Sequence, residues 1–221
     1  LEICVNVRFW QAVVILALSA SGAQAQSLHV EVQDLQGHAL NDAVVIAVPT
    51  GGIKVPLKPH EEIVDQIDRE FVPYVKPILV GSMVRFPNKD NIRHHVYSFS
   101  PAKPFELPLY KGTPAAPVLF DKAGVVVLGC NIHDWMVGYV YVSESPYYAK
   151  SGPDGLAVIN EIPKGEYRVR IWHPDLDMSE DATARTVAVD EASATAQVWQ
   201  IKITPGIRVQ RAPTPGSGNY H

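Results

Sequence analysis

The 221 residues carry 19 Lys and Arg against 23 Asp and Glu, a net charge of −4, with 47% hydrophobic residues. No basic patch marks the chain for nucleic acid, and past the N-terminal segment no apolar run suggests a membrane contact. There are two cysteines, Cys4 and Cys130, and the fate of each bears on function.

Arg8 precedes the apolar run Phe9–Ala20, the length of a secretory h-region and short for a bilayer span. Ser21-Gly22-Ala23-Gln24-Ala25 follows, with the small residues of a signal-peptidase site at Ala23 and Ala25. Residues 1–25 are therefore expected to be a signal peptide cleaved near Ala25, giving a periplasmic or secreted protein with no membrane span in its mature form. Cleavage removes Glu2 and Arg8 together, so the net charge stays at −4. About 195 residues then remain, enough for one large or two small domains. Cleavage also removes Cys4, leaving Cys130 alone in an oxidising compartment. A lone thiol there needs a reason: an intermolecular disulfide, a reactive role or a metal.

Helical periodicity is scarce. Leu28–Val32 alternates, Ala43–Val48 is continuously apolar, and Thr50-Gly51-Gly52 breaks the run. Glu61–Glu70 has room for one or two turns of helix. Ile78–Phe86 is strand-like around Gly81, and Pro87-Asn88-Lys89-Asp90-Asn91 reads as a turn. His94–Phe99, Val118–Phe120, Val125–Leu128 and Val137–Val142 follow, then Leu156–Ile159, Tyr167–Trp172, Thr186–Val189 and Ala196–Ile203. Short strands at near-regular spacing with turn signals between them predict an all-β sandwich. Residues 205–221, rich in Pro and Gly, read as a disordered tail.

The chemistry concentrates in Gly129-Cys130-Asn131-Ile132-His133-Asp134-Trp135-Met136. A thiolate, an imidazole and a thioether recur every three residues just after a strand, and a His94-His95 pair stands upstream in another strand. Two imidazoles and a thiolate with a weak axial Met form the ligand set of a blue-copper electron-transfer site. Zinc also accepts Cys and His, but Met is a poor zinc ligand. His29, His38, His60 and His221 have no such company and read as ordinary packed or exposed histidines. His173-Pro174-Asp175, near Asp177 and Met178, reads as a turn at a strand end rather than a second metal cluster. No Ser-His-Asp order, paired-carboxylate motif or phosphate loop suggests hydrolytic chemistry.

Phe86-Pro87-Asn88, His94-His95-Val96-Tyr97-Ser98, Phe120-Asp121-Lys122-Ala123-Gly124-Val125 and Cys130–Val142 together resemble a cupredoxin of the plastocyanin and amicyanin group, of the kind found among methylamine-utilisation proteins. The resemblance covers about residues 61–143, and the compact Cys-x-x-His-x-x-Met loop is similar to that of amicyanin. It implies a cupredoxin Greek-key β-sandwich over residues 60–145 holding one type 1 copper ion. By the same resemblance His94, Cys130, His133 and Met136 are the copper ligands. Counting from Phe86 as in that family puts His94 at the first ligand position and His95 where an Asn usually stands. Strand alternation sends His94 and His95 to opposite faces, so both cannot easily reach one metal. His95 and Asn131 are then expected to join the first-His strand to the Cys loop. Trp135 either shields the metal and helps dock a partner or simply packs.

The flanks resemble a different module. Asp34–Val44, and Gly155-Leu156-Ala157 through Lys164-Gly165-Glu166-Tyr167-Arg168-Val169, are similar to strands of a transthyretin-like or carboxypeptidase-regulatory β-sandwich. Residues 26–59 plus 146–204 would then form a second, discontinuous sandwich into which the first is inserted; the simpler arrangement is one cupredoxin with extra edge strands. The resemblance implies an electron carrier, not an enzyme, cycling Cu(I)/Cu(II) between redox proteins such as a dehydrogenase or a c-type cytochrome. The same ligands would also serve a copper chaperone, storage or sensing protein.

Overall fold

In the computed structural model, residues 26–51, 55–114 and 116–206 are described. The predicted signal segment, residues 1–25, and all but the first two residues of the predicted tail lie outside them. The described chain is all-β. Helical structure within it amounts to two 3-10 turns, Glu180–Thr183 and Glu191–Ala194, and no helix is long and apolar enough to cross a membrane.

Strands β1 (Gln26–Gln33) and β2 (Val44–Pro49) come first. Ten short strands follow: β3 (Glu61–Ile63), β4 (Asp65–Ile67), β5 (Glu70–Val72), β6 (Val75–Leu79), β7 (Ser82–Arg85), β8 (His94–Ser98), β9 (Phe105–Tyr110), β10 (Val118–Phe120), β11 (Gly124–Leu128) and β12 (Gly138–Ser143). The last five are β13 (Tyr148–Lys150), β14 (Leu156–Ile162), β15 (Gly165–Trp172), β16 (Arg185–Val189) and β17 (Gln197–Gln200). The earliest and latest strands pair with one another, in the orders β14-β1-β17 and β13-β2-β15-β16. The middle strands form β10-β7-β3, β11-β12-β6, β8-β9 and β4-β5.

Alternation along the strands sorts the apolar side chains into separate cores. Leu28, Val30 and Val32 of β1 meet Val45 and Ala47, Tyr167, Val169 and Ile171, and Trp199. Val84, Phe86, Val96, Phe120, Val126, Leu128, Cys130, Met136 and Val140 form a second core from the middle strands. A third cluster lies between them: Val44 and Ile46 on the other face of β2, with Trp172, against Val75 and Tyr141. Strand β2 is thus buried on both faces, which is why its sequence is continuously apolar rather than alternating. Polar groups cross the same boundary. Tyr141 donates its hydroxyl to Glu180 at 2.6 Å, and Arg170 pairs with both Glu180 and Glu144. Burial and that carboxylate push the Tyr141 phenol far up, so it remains a donor.

The expected helical turns in Glu61–Glu70 are replaced by strands. Val64, Gln66 and Phe71 face inward around a tight turn at Asp68 and Arg69, which both take positive φ (53° and 61°). Such a turn closes a two-stranded hairpin and is incompatible with a helix.

The aromatic seam at the boundary is testable. Trp172 is 9% exposed, with its ring 5.5 Å from Tyr139 and 5.6 Å from Tyr141. Trp172→Ala is expected to cost about 3 kcal/mol and to split guanidinium unfolding into two transitions, one per core. A single transition at the wild-type midpoint would contradict that role.

Candidate metal centre

Strand β11 delivers Cys130 two residues past its last residue, and a tight loop then returns the chain to β12. Within the loop Met136 N–H donates to His133 O at 2.9 Å and Val137 N–H to Trp135 O at 3.0 Å. The other histidine arrives from β8. Tyr97 N–H donates to Gly129 O at 3.1 Å, and Gly129 N–H returns a bond to Tyr97 O at 3.0 Å. That pair locks β8 against the residue before Cys130.

The result is a converging donor set. His94 Nδ1 lies 3.9 Å and His133 Nδ1 3.8 Å from Cys130 Sγ. All three donor atoms lie within 4.8 Å of one another, and the two imidazoles meet edge-on with centroids 4.9 Å apart. His94 is fully buried, Cys130 is 4% exposed and His133 half-buried. Met136, 1% exposed, shares the buried cluster that contains Cys130. Burial, the neighbouring His94 and the Arg69 charge together push the His133 imidazole below its ordinary range, keeping it neutral with a lone pair to offer. A thiol and two imidazoles converging in a buried apolar pocket suit a soft or borderline ion, and copper fits that donor chemistry.

The surroundings hold each donor. His94 Nε2 lies 2.7 Å from Asp90 Oδ2. Burial alone would raise the Asp90 carboxyl; the Arg69 N–H, the His94 imidazole and the Asp68 N–H outweigh it and hold the group below the usual carboxylate range. His95 turns away from the cluster. Asn131 Nδ2 donates to its Nδ1 at 2.6 Å, and Glu106 Oε1 lies 2.9 Å from its Nε2. His95 and Asn131 therefore tie β8 to the Cys loop, as their sequence positions suggest. Trp135 packs on the second core, with its ring 5.3 Å from that of His133. Behind the site Tyr110 donates to Phe86 O at 2.6 Å and accepts from buried Gln66. Burial pushes the Tyr110 phenol up to about 12, with charge on Cys130 adding to the shift and the Gln66 bond opposing it.

His173 stands apart from this site. Its Nδ1 accepts Asp175 N–H at 3.0 Å, which leaves Nε2–H to donate to Asn41 O at 3.1 Å, so it fastens the turn at the end of β15. Asp68, Arg69, Gln66 and Tyr110 carry no signal in the sequence that marks them for this site. Asp90, four residues before His94 in a turn, carries one that sequence reasoning missed.

The sequence matches no family model and no curated protein. Among solved structures it is similar to a copper-containing nitrite reductase from Thermus scotoductus SA-01, at 27% identity and a TM-score of 0.36 over 45% of this chain. That match spans 26%, about a quarter, of the reductase. It is also similar to a purple cupredoxin from Nitrosopumilus maritimus (26% identity, TM-score 0.33, covering 38% of this chain and 99% of that one). An amicyanin mutant in its oxidised state gives 23% identity and a TM-score of 0.35 over 38% of this chain and 82% of its own. At these scores the likenesses carry nothing about activity, which the site alone must supply. The all-β sandwich, with a histidine on one strand and Cys, His and Met in the loop after another, is cupredoxin-like.

Gly129 sets the closeness of β8 to the segment that leads into Cys130. A Cβ there would sit 2.7 Å from Tyr97 Cζ and 2.8 Å from its hydroxyl. Gly129→Ala is expected to cost about 1–3 kcal/mol through that overlap, and a Tyr97→Ser partner change should recover most of it. Simple addition of the two single effects in thermal unfolding would place the cost elsewhere.

Proposed function

We propose that this protein is an exported type 1 copper protein that carries single electrons between redox partners. The observation that carries this reading is the approach of two imidazole Nδ1 atoms to within 3.9 Å of one buried thiol, that of Cys130. His94, Cys130 and His133 would hold one copper ion, with Met136 as a weak axial donor. Bound there, copper supplies a one-electron couple. Cys130 offers a soft thiolate and a covalent path through its own backbone. His94 and His133 offer nitrogen donors acceptable to both oxidation states, and the apolar cluster around Met136 keeps water from the donors. Strands β8 and β11 fix the donor positions, so a change of charge demands little rearrangement.

The same reading takes residues 60–145 as a cupredoxin module inserted into a flanking sandwich, 26–59 plus 146–204. The pairing of β1 with β14 and β17 across the intervening chain supports it. Export after cleavage near Ala25 belongs to the proposal, as does a role as carrier rather than enzyme. A dehydrogenase or a c-type cytochrome is the kind of partner proposed. A copper chaperone, storage or sensing protein would expose its ligands for exchange. Here His94, Cys130 and Met136 are at most 4% exposed, which favours the carrier.

The test is a Cu(II) titration followed by visible and electron-spin-resonance spectroscopy. The wild type should show an intense thiolate-to-copper band with narrow hyperfine splitting, absent in Cys130→Ser and His94→Ala but kept in His95→Ala. Met136→Leu should keep the band and raise the reduction potential, since a weak donor to Cu(II) is lost. A weak spectrum unchanged in Cys130→Ser would overturn the proposal. Loss of the band in His95→Ala with its retention in His94→Ala would reassign the first ligand.

A further inference from the structure

Four aromatic rings, those of Tyr74, Tyr139, Trp172 and Tyr141, line the boundary between the two larger cores. Tyr74 and Tyr139 meet edge-on with centroids 5.4 Å apart, Tyr139 lies 5.5 Å from Trp172, and Trp172 lies 5.6 Å from Tyr141. The row joins both parts of the fold: Trp172 ends β15, while Tyr139 and Tyr141 stand on β12. It also starts beside the donor loop. Tyr139 is three residues past Met136, and its register partner on β11 is Val127, three residues before Cys130. From half-buried Tyr74 and Tyr139 the row runs inward to Tyr141, which is 2% exposed.

Tyr141 differs from Tyr110 and Tyr167 in what its hydroxyl meets. Those two donate to the backbone carbonyls of Phe86 and Pro163, at 2.6 and 2.9 Å, and a carbonyl cannot keep a proton. Tyr141 donates instead to a carboxylate oxygen of Glu180 at 2.6 Å. A phenol that loses an electron becomes a strong acid, so it is readily oxidised only where a base receives its proton. Glu180 is such a base, and neutralising it strands no charge. Arg170, which pairs with Glu180, also pairs with Glu144 and so keeps a counter-ion. We propose that Tyr141 and Glu180 form a proton-coupled redox site, fed through Tyr139 and Trp172, that draws oxidising equivalents away from the donor loop. A one-electron oxidant of the hydroxyl-radical class takes an electron from the aromatic row. Tyr141 then gives one electron to the row and its phenolic proton to Glu180, leaving a neutral phenoxyl radical beside a neutral carboxylic acid. A one-electron reductant restores the phenol, and the proton returns from Glu180. The loop has side chains that need such protection, since the Cys130 thiol and the Met136 thioether are both open to oxidation.

Flash oxidation of the metal-free full chain by photogenerated ruthenium(III) trisbipyridine, followed by transient absorption and electron-spin resonance, tests this. The wild type should give a phenoxyl radical whose decay does not depend on protein concentration, because the ring is buried away from any second copy. Tyr141→Phe should abolish that species and raise the oxidation of Cys130 and Met136 read by mass spectrometry. Glu180→Gln keeps an acceptor oxygen but is a poor base, so radical formation should slow about 100-fold, the contribution typical of a positioned proton acceptor. Trp172→Phe keeps a ring and loses the easily oxidised indole, so formation should slow there as well. The same radical in Tyr141→Phe, formation at the wild-type rate in Glu180→Gln, or equal oxidation of Cys130 and Met136 in wild type and Tyr141→Phe would overturn the proposal. The radical is read without metal, so a missing blue band would overturn the carrier function and leave this result standing.

Discussion

Two backbone hydrogen bonds between Tyr97 and Gly129 join the strand that bears His94 to the strand that leads into Cys130. His94 and Cys130 are 36 residues apart in sequence, and this bridge is the link that lays their strands side by side. Its tightness needs a residue without a side chain at position 129, because the Tyr97 ring fills the space a Cβ would take. With the bridge in place, β8 carries His94 into the donor cluster, while the adjacent His95, also buried, meets Asn131 and Glu106 instead. Chain geometry in the Cys-x-x-His-x-x-Met loop then brings His133 back toward the thiol. The donor set follows from one strand register and one short loop.

A second layer of structure concerns protons and charge. Burial in an apolar cluster makes every donor costly to leave charged and unpaired. His133 meets this by being pushed toward its neutral form. Asp90, which carries charge, is surrounded by two backbone N–H groups and an imidazole. His95 is held by Asn131 and faces Glu106, so the two adjacent histidines have different partners. The flanking sandwich packs Val44, Ile46 and Trp172 against Val75 and Tyr141, on the side of the β11-β12-β6 sheet away from the second core. The loop from Cys130 to Met136 stays outside that contact, and Ile132, 48% exposed, lies on its surface.

Much of the centre was legible in the sequence because its information is local. Cys130, His133 and Met136 lie within one loop, and the strands around them alternate or run apolar in the ordinary way. Strand period distinguishes His94 from His95 in the sequence, but the register irregularity between His94 and Val96, which leaves both histidines buried, carries no signal there. The hairpin β4–β5 was not legible: three-residue strands are too short to establish a period, and its acidic residues imitate a helical stretch. Strand β9 was hidden by Pro104 and Pro108; among the described residues it pairs only with β8, an edge position where proline is tolerated. The support for His94 is non-local, since Asp68 and Arg69 act through backbone N–H groups whose direction depends on φ and not on side-chain identity.

X-ray absorption at the copper edge, on protein loaded with one equivalent and measured oxidised and then reduced, tests the central claim most directly. The donor cluster predicts one sulfur and two nitrogen scatterers at short range, little altered on reduction. A shell of nitrogen and oxygen alone, or a coordination number that changes between the two states, would contradict a preformed site built on Cys130, His94 and His133.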